Sequence, residues 1–368
     1  MYTSDRRTVI TLDAGGTNFV FGAMRGCEYV ADPVTYPSNA HDLGLCLDTM
    51  TRGFHDVIAG LDEAPVAISF AFPGPADYRN GIIGGYLPNF PSFRDGVALG
   101  PYLERQFGIP VFINNDGDLF AYGEALCGAL PEINRRLEAD GSAKRFRNLI
   151  GYTFGTGFGV GVVVDGRLNR GDNSCVETFC LPHRTKPHLM AEEGVSVRAV
   201  QRVYRELSGD MSDLTPKDIC DIADGRCAGN AEAARRAFDE MGETAGHAMA
   251  VAASLIDGII VIGGGITAAR HLMIGGIMRA LGSTVSTFGG DTVRCVQPDV
   301  FYLDDPTDFS RFSAGDSRTI LIPGTDIPVV YDPMKRLGVT FSRLGASRAI
   351  SAGAYAFALS EIDNVNEN

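Results

Sequence analysis

The sequence lacks an apolar run of the roughly 18 residues that a membrane-spanning helix requires, so we expect no membrane partner. Its first residues lead into a predicted strand without the apolar segment of a signal peptide. Positive charge is also scarce: 32 Lys and Arg stand against 45 Asp and Glu, which gives a net charge of −13. Because general nucleic-acid binding depends on clustered Lys and Arg, we expect no nucleic-acid partner either.

The 8 cysteines include no Cys-x-x-Cys pair. In a chain of 368 residues, of which 45% are apolar, this scatter predicts reduced, mostly structural thiols in a cytoplasmic protein. The length is sufficient for two domains with a large core.

Apolar residues recur at helical spacing in several segments. They predict helices over residues 41–59, 99–107, 119–130, 196–207, 215–224, 231–255 and 349–359. Residues 131–148 are compatible with a helix or a loop.

A short glycine turn, Asp13-Ala14-Gly15-Gly16-Thr17, separates two apolar runs that each predict a strand, 9–12 and 19–23. The glycines can take positive φ and let backbone N–H groups close on an anion. Thr17 adds a hydroxyl donor, and the Asp13 carboxylate could hold Mg²⁺ directly or through water. The turn lacks the lysine of a Walker A loop and the third glycine of a dinucleotide-binding loop. An ordinary hairpin turn is the competing interpretation.

A similar pattern returns about 140 residues later, where a glycine-rich segment that begins Gly155-Thr156-Gly157 and ends at Gly161 separates the strand-like runs 149–154 and 162–168. Repetition on this scale predicts a duplicated β-β-β-α-β-α fold. If both turns face one cleft, their N–H groups can hold a polyphosphate from two sides.

Polar segments follow two predicted strands, 66–72 and 110–114. The first is followed by Pro73-Gly74-Pro75 and the second by Asn115-Asp116. Ligands bind at strand ends in open α/β sheets, and a carboxylate such as that of Asp116 could act there as a general base. Equally, Asn115 or Asp116 could cap the helix that follows.

The buried run 259–262 ends in Gly263-Gly264-Gly265, ahead of a helix near 268–281. These glycines either let a planar group lie against the backbone or serve close helix–strand packing. Residues 291–343 alternate short β-like runs with Pro, Asp and Gly, which predicts an antiparallel β insertion.

Cys180, His183 and His188 raise the question of a zinc site. They supply only three ligands at a spacing that matches no common zinc motif, so we do not expect zinc. A buried thiol with surface histidines is the alternative.

In their order and spacing, these motifs resemble the ROK family (repressors, open reading frames, sugar kinases) of the actin-like ATPase fold. The resemblance covers most of residues 8–270 and resumes at 345–360. It rests on Asp13-x-Gly-Gly-Thr17, Pro73-Gly74-Pro75, Leu87-Pro88-Asn89-Phe90, Asn115-Asp116, Gly155-Thr156-Gly157-x-Gly159-x-Gly161 with Asp165-Gly166, and Gly263-Gly264-Gly265.

The resemblance implies an α/β, two-lobed, ribonuclease H-like fold with duplicated β-β-β-α-β-α domains around a cleft. Residues 1–130 and 345–368 would form an N-terminal sugar and phosphate lobe. Residues 131–344, with the β-rich insertion, would form a C-terminal nucleotide-binding lobe. A cytoplasmic homodimer or larger homo-oligomer is implied as well.

The resemblance also implies roles for single residues in an ATP-dependent sugar kinase. Asp116 would take the proton from a hexose or N-acetylhexosamine hydroxyl, which then attacks the γ-phosphate of ATP. Asp13 would hold Mg²⁺ through water. The ATP phosphates would contact Gly15, Gly16, Thr17, Thr156 and Gly157, and adenosine would lie near Gly264 and Gly265. The sugar would contact Pro73, Gly74, Asn89, Asn115, Asp116, Glu177 and Glu192, with Glu193 as the alternative to Glu192.

The chain departs from the family pattern after the second glycine turn. Family members commonly carry Ala-Gly-Glu-x-Gly-His, whereas residues 175–180 keep the glutamate and lack the histidine. The cysteine-rich zinc motif is also absent from 184–189. Two alternatives therefore stay open: a sugar-binding protein without catalysis, and a sugar-responsive repressor. The repressor would need a helix-turn-helix domain ahead of the first turn, where about seven residues precede the first predicted strand.

Overall fold

The computed structural model describes residues 2–366, with side chains through residue 364. Its contacts define two compact units. Unit 1 contains the chain up to Gly128, residues 161–176, and the chain from Arg343 onward, and unit 2 contains residues 129–160 and 177–342.

Residues 161–176, which the sequence assigned to the second lobe, group with unit 1. The reason is close backbone packing, because a Cβ added at Gly161 would lie 2.2 Å from the carbonyl oxygen of Gly117. The Arg170 guanidinium also donates a hydrogen bond of 3.1 Å to Oδ1 of Asn114.

The strands, numbered along the chain, are β1 (Val9–Ala14), β2 (Asn18–Arg25), β3 (Glu28–Tyr29), β4 (Val34–Pro37), β5 (Ala67–Ala71), β6 (Ala76–Asp77), β7 (Ile82–Ile83), β8 (Val111–Asn114), β9 (Leu149–Phe154), β10 (Phe158–Val164), β11 (Arg167–Leu168), β12 (Ile259–Gly263), β13 (Thr284–Ser286), β14 (Thr292–Arg294), β15 (Asp299–Tyr302), β16 (Arg318–Leu321), β17 (Pro328–Tyr331) and β18 (Arg336–Phe341). The helices are α1 (Leu43–Ala59), α2 (Leu99–Phe107), α3 (Asp116–Leu126), α4 (Ala129–Ala139), α5 (Val197–Ser208), α6 (Pro216–Ala223), α7 (Ala231–Ile256), α8 (Arg270–Leu281), α9 (Pro306–Ala314) and α10 (Ala346–Asn366). None of the helices among residues 2–366 is long and apolar enough to cross a membrane.

The two large sheets share one strand order, as the repeated glycine turn predicts. The first sheet runs β3-β2-β1-β5-β8, with β4 also paired to β2, and the second runs β11-β10-β9-β12-β18, extended by β15. In the first sheet β5 is parallel to β1 and β8 is parallel to β5. In the second, β12 is parallel to β9 and β18 is parallel to β12. The predicted duplication is therefore confirmed.

Aromatic side chains fill the core against the first sheet. Phe90 has no solvent exposure, and its ring lies 4.6 Å from that of Phe72 and 6.0 Å from that of Phe19. A buried aromatic side chain removes on the order of 150–250 Å² from water. These contacts anchor the loop that ends at Phe90 to the strands β2 and β5.

The segment 291–343 is only partly the antiparallel insertion that the sequence predicts. One antiparallel hairpin, β16–β17, lies within the segment, and β14 forms a second hairpin with β13, which precedes the segment. However, β15 and β18 join the second sheet as parallel strands, and α9 is a helix with Asp305 as its N-cap. All six residues of β18 are buried. Because three of them are Arg336, Gly338 and Thr340, the strand lacks the continuous apolar run that is typical of a buried parallel strand.

The prediction of one continuous helix over 119–130 is also wrong. Instead, α3 ends at Leu126, and α4 begins at Ala129 and accounts for much of residues 131–148. Between them, Cys127 forms a disulfide with Cys27, so the expectation of reduced thiols is wrong for this pair. The other six cysteines are free.

Helices α3 and α10 cross within unit 1 at two glycines. A Cβ added at Gly123 would lie 1.9 Å from the carbonyl oxygen of Ala349, and one at Gly353 would lie 1.9 Å from that of Leu119. Because backbone atoms cannot move aside as a side-chain tip can, the two helices approach closely only with glycine at both positions.

We expect Gly123→Ala to lower the melting temperature, by overpacking that costs about 1–3 kcal/mol or more. The matched control is Gly275→Ala in α8, where an added Cβ meets only the Nη1 of Arg279 at 3.4 Å within unit 2. Because alanine has a higher helix propensity than glycine, this control variant should melt at or above the wild-type temperature. Equal melting temperatures for Gly123→Ala and wild type in scanning calorimetry would contradict the packing argument.

Candidate active-site residues in the two units

The first glycine turn closes the β1–β2 hairpin. The Gly15 N–H donates to the carbonyl oxygen of Asn18 at 3.0 Å, and the Ser38 N–H donates to that of Thr17 at 2.9 Å. Neither glycine of the turn has positive φ, so conformational freedom is not what these positions require. Glycine is needed at Gly15 because there is no room for a side chain: a Cβ there would lie 2.9 Å from the Asn18 carbonyl oxygen. Gly16 and Thr17 are exposed.

Asn89 lies directly against this turn. Its Cβ is 3.0 Å from where a Cβ at Gly16 would stand, and its side chain is exposed. The loop that carries Asn89 is fixed by the buried side chains of Leu87 and Phe90. The structure therefore brings together the predicted sugar residue Asn89 and the predicted phosphate turn.

Pro73 and Gly74 follow β5, as predicted from the sequence. Beneath them, the Tyr78 hydroxyl donates to the carbonyl oxygen of Phe72 at 2.8 Å. A Cβ at Gly74 would lie 2.9 Å from that hydroxyl, so the segment depends on glycine for its path.

The start of α3 satisfies both interpretations of Asn115-Asp116. Asn115 is the N-cap, and its Oδ1 accepts the Gly117 N–H at 2.8 Å. The same N–H also lies 2.8 Å from Oδ1 of Asp116. Apart from the backbone N–H groups of Gly117 and of Asp116 itself, no donor to the Asp116 carboxylate is present among residues 2–366. Capping thus falls to Asn115, and Asp116 keeps an oxygen available for a substrate.

The surroundings of Asp116 make its carboxylate more basic. The side chain is accessible to water but densely surrounded by protein, and this desolvation raises its pKa. The Gly117 N–H opposes the rise, and the charge of Asp13 adds to it. A raised pKa suits a carboxylate that must accept a proton near neutral pH.

Asp13 and Asp116 also fit a magnesium site. Their charges act on each other within unit 1, and oxygen ligands of this kind are those that Mg²⁺ prefers. A divalent cation bound by Asp13, directly or through water, would offset the repulsion between the two carboxylates.

Sequence reasoning missed Asp118 and Arg170. Asp118 is 6% exposed, and burial raises its pKa to about 7, with Arg170 opposing the rise and Asp116 adding to it. The Arg170 guanidinium lies 4.7 Å above the ring of Phe357 and donates to Asn114. The available signal was the spacing Asp116-Gly117-Asp118, which places a second carboxylate in the first turn of α3.

The second glycine turn closes the β9–β10 hairpin in unit 2. The Gly155 N–H donates to the carbonyl oxygen of Gly157 at 3.1 Å. Glu192 lies against this turn: its Oε2 accepts the Phe158 N–H at 3.0 Å and would be 2.7 Å from a Cβ at Gly157. The predicted sugar residue Glu192 is therefore in contact with the predicted phosphate turn of its own unit.

Arg198, another residue that the sequence did not single out, joins these parts. Its guanidinium donates to the carbonyl oxygen of Thr156 at 3.3 Å and lies 3.5 Å from Oε1 of Glu192. It also lies 3.6 Å from the alternative residue, Glu193. Of the two glutamates, Glu192 has the contact with the turn. In the sequence, the signal for Arg198 was its position two residues after Ser196, the N-cap of α5.

The two interpretations of Gly263-Gly264-Gly265 apply to different glycines. Gly264 has φ +99°, and a Cβ there would lie 2.2 Å from the Phe154 carbonyl oxygen, so close packing and backbone conformation both require glycine. Gly265 has no atom within 4 Å of an added Cβ. It offers an open backbone surface of the kind a planar group needs.

The remaining predicted residues are more dispersed. Glu177 and His183 are half-buried, and Cys180 and His188 are exposed. Cys180, His183 and His188 do not form a group with ligand atoms within 4.8 Å of one another in the described part of the chain. Burial, together with Lys186 and Arg202, lowers the pKa of His183.

A different group, Cys220, Asp224 and His271, has its ligand atoms within 4.8 Å. The Asp224 carboxylate is already paired with Arg226 at 2.8 Å and with His271 at 2.8 Å. An ordinary surface ion-pair network accounts for this group.

A duplicated α/β sheet with a glycine–threonine turn in the first hairpin of each copy defines the actin-like ATPase class. The comparisons with known proteins agree. The ROK family model matches residues 9–179. A crystal structure of glucokinase from Parabacteroides distasonis is 56% identical over 98% of this chain and 99% of that one, with a TM-score of 0.90. The chain belongs to the ROK family.

Two further relatives indicate the range of the family. A ROK family glucokinase from Streptomyces griseus, solved with glucose and AMPPNP, shares the fold at 19% identity and a TM-score of 0.59, over 95% of this chain and 98% of that one. A xylose repressor from Bacillus spizizenii is 30% identical over 127 residues, which are 34% of this chain and 29% of the repressor. The chain thus spans less than a third of that curated relative.

Asp118 provides a test of the electrostatics at α3. Between about pH 4 and pH 7 the unfolded chain ionises this carboxyl while the folded protein keeps it protonated. Its contribution to stability therefore falls as pH rises through that window, by at most about 1.4 kcal/mol per pH unit. Asp118→Asn cannot ionise, so we expect it to match wild type near pH 4 and to melt at a higher temperature at pH 8.

The measurement is the melting temperature from pH 4 to pH 8. The exposed Asp48→Asn in α1 is the control and should follow the wild-type profile. If Asp118→Asn and wild type lose stability in parallel across the window, the buried carboxyl is not the cause.

Proposed function

We propose that this protein is an ATP-dependent sugar kinase that phosphorylates a hydroxyl of a hexose or an N-acetylhexosamine. The observation that carries the proposal is the arrangement at Asp116, which combines a carboxylate of raised pKa with a fixed helix start and leaves capping to Asn115. The 56% identity to a glucokinase over nearly the whole chain supports a sugar as the acceptor.

Asp116 acts as the general base. The Gly117 N–H fixes one carboxylate oxygen, and the other accepts the proton of the sugar hydroxyl as that oxygen attacks the γ-phosphate of ATP. Asn89 and Asn115, whose side chains are polar and not buried, orient the sugar by hydrogen bonds. Most of the rate enhancement in such a transfer comes from positioning and charge stabilisation.

The exposed backbone at Gly16 and Thr17 binds phosphate oxygens in unit 1. Thr156 and Gly157 bind them in unit 2, where Arg198 supplies a positive charge beside the turn. Adenosine lies on the open backbone of Gly265. When bound at Asp13, Mg²⁺ supplies positive charge that offsets the negative charge developing on the phosphate oxygens.

Glu177 and Glu192 complete the sugar contacts in unit 2. Because Glu192 is held by the Phe158 N–H and by Arg198, its carboxylate is fixed in position, as a hydrogen-bond acceptor for sugar hydroxyls should be. We also propose a cytoplasmic location and a homo-oligomeric assembly. Zinc has no part in the proposed reaction.

The family also contains repressors, and one of them matches part of this chain. A repressor or a sugar-binding protein without catalysis has no need for a basic carboxylate with an available oxygen. The retained Asp13, Asp116 and both glycine turns therefore favour the kinase.

We expect Asp116→Asn to abolish sugar-dependent ADP release, because an amide cannot accept the proton, while the melting temperature stays close to that of wild type. The loss of a general base typically costs about 10²–10⁴-fold in rate. The measurement is a coupled ADP assay across glucose, mannose, N-acetylglucosamine and N-acetylmannosamine. Asp48→Asn makes the same chemical change at an exposed position and should keep full turnover. Undiminished turnover in a folded Asp116→Asn variant would remove Asp116 from the role of base.

A further inference from the structure

The hairpin formed by β16 and β17, residues 318–331, is called the arm. All eight residues of its two strands are exposed. Seven of its apolar side chains are between 40% and 69% exposed: Ile320, Leu321, Ile322, Ile327, Val329, Val330 and Tyr331. An isolated two-stranded hairpin is marginally stable in water, so an apolar arm of this kind needs a surface to cover it.

The base of the arm is firmly held. The Asp316 N–H donates to Oδ1 of Asp332 at 3.1 Å, and the fully buried guanidinium of Arg336 pairs with the same aspartate. Arg318 at the start of β16 pairs with Asp316. The arm is therefore presented in a defined direction by β18, which is part of the second sheet.

The register gives the arm two unlike faces. Ile320 is paired with Val329, and Thr319 with Val330. Since paired residues lie on one face and neighbours alternate, one face, called face A, carries Ile320, Ile322, Ile327, Val329 and Tyr331. Arg318, which is paired with Tyr331, lies at the base of the same face. The opposite face carries Thr319, Leu321, Pro328 and Val330. Face A holds the longer continuous apolar row.

We propose that face A is a self-association surface, and that it packs against face A of a second copy of this chain. A face that meets its own copy across a two-fold axis gives a closed dimer. Two hairpins stacked in this way form a small sandwich about 10 Å thick.

The buried area is sufficient for a specific contact. The exposed fractions of the five apolar residues of face A correspond to on the order of 500 Å² per copy, which is comparable to the largest apolar patch of a typical monomer, a patch that is often functional. Two copies together reach the roughly 1,000 Å² that a specific interface needs.

Charge also favours a second copy. The whole chain carries −13 and repels itself, but residues 318–331 contain one Arg and one Asp, Arg318 and Asp326, and are neutral as a segment. Approach through the arm therefore avoids the repulsion between the acidic surfaces. The arm contains no further Lys or Arg that would attract an anionic lipid surface.

The test is the mass of the full chain in solution by sedimentation equilibrium at micromolar concentrations. Ile320→Lys places a charge in face A, and Thr319→Lys places the same charge next to it on the opposite face. We expect a concentration-dependent dimer for wild type and for Thr319→Lys. For Ile320→Lys we expect half that mass, or a dissociation constant at least about tenfold higher, because a buried unpaired charge is costly.

Three results would overturn the proposal: a wild-type monomer, an unchanged mass for Ile320→Lys, or equal dissociation by Thr319→Lys. A monomeric wild type that co-sediments with phosphatidylcholine vesicles would identify a membrane as the occupant instead. If Ile320→Lys fails to fold, a variant in which Gly-Gly-Ser replaces residues 319–330 should be monomeric. Retention of the wild-type mass by that variant would also contradict the proposal.

Discussion

The backbone N–H of Gly117 is the contact on which the candidate site in unit 1 depends. It lies 2.8 Å from Oδ1 of both Asn115 and Asp116, and so fixes where α3 begins and how the Asp116 carboxylate is turned. Asn115 provides the cap, and the only donors to the Asp116 carboxylate among residues 2–366 are the backbone N–H groups of Gly117 and of Asp116 itself. The same helix is held against α10 by the crossing at Gly123 and Gly353, so the position of the proposed base is set by the core of its unit.

The glycine turns show how far the sequence determines the site. Both hairpins and the strand order that follows could be predicted, because short β-rich runs around Gly and Thr leave few alternatives. The second strand of the second hairpin begins at Phe158, however, and not at Val162 as the sequence predicts. The reason for glycine at 15 could not be predicted: it is the nearness of the Asn18 carbonyl oxygen and not positive φ. The sequence also does not show that Gly264 is required for close packing, whereas the backbone at Gly265 is open.

Other residues escaped prediction because their environment comes from distant parts of the chain. Asp118 looks like an ordinary first-turn carboxylate, and only its burial in the folded unit raises its pKa to about 7, against the opposing charge of Arg170. Similarly, all six residues of β18 are buried, although Arg336, Gly338 and Thr340 interrupt its apolar residues. The disulfide between Cys27 and Cys127 joins residues 100 positions apart, a pairing that spacing alone does not indicate. The arm, in contrast, was visible as a β-rich segment, but its unlike faces follow from the register.

In the proposed function, the Asp116 carboxylate and the glycine turns serve transfer of a phosphoryl group from ATP to a sugar. Phosphorus NMR of the wild-type protein with ATP, Mg²⁺ and each candidate sugar tests this central claim most directly. We predict that one sugar gives a new monoester signal that grows in step with ADP. Persistence of ATP with every hexose and N-acetylhexosamine, or release of inorganic phosphate in place of a sugar phosphate, would contradict the claim.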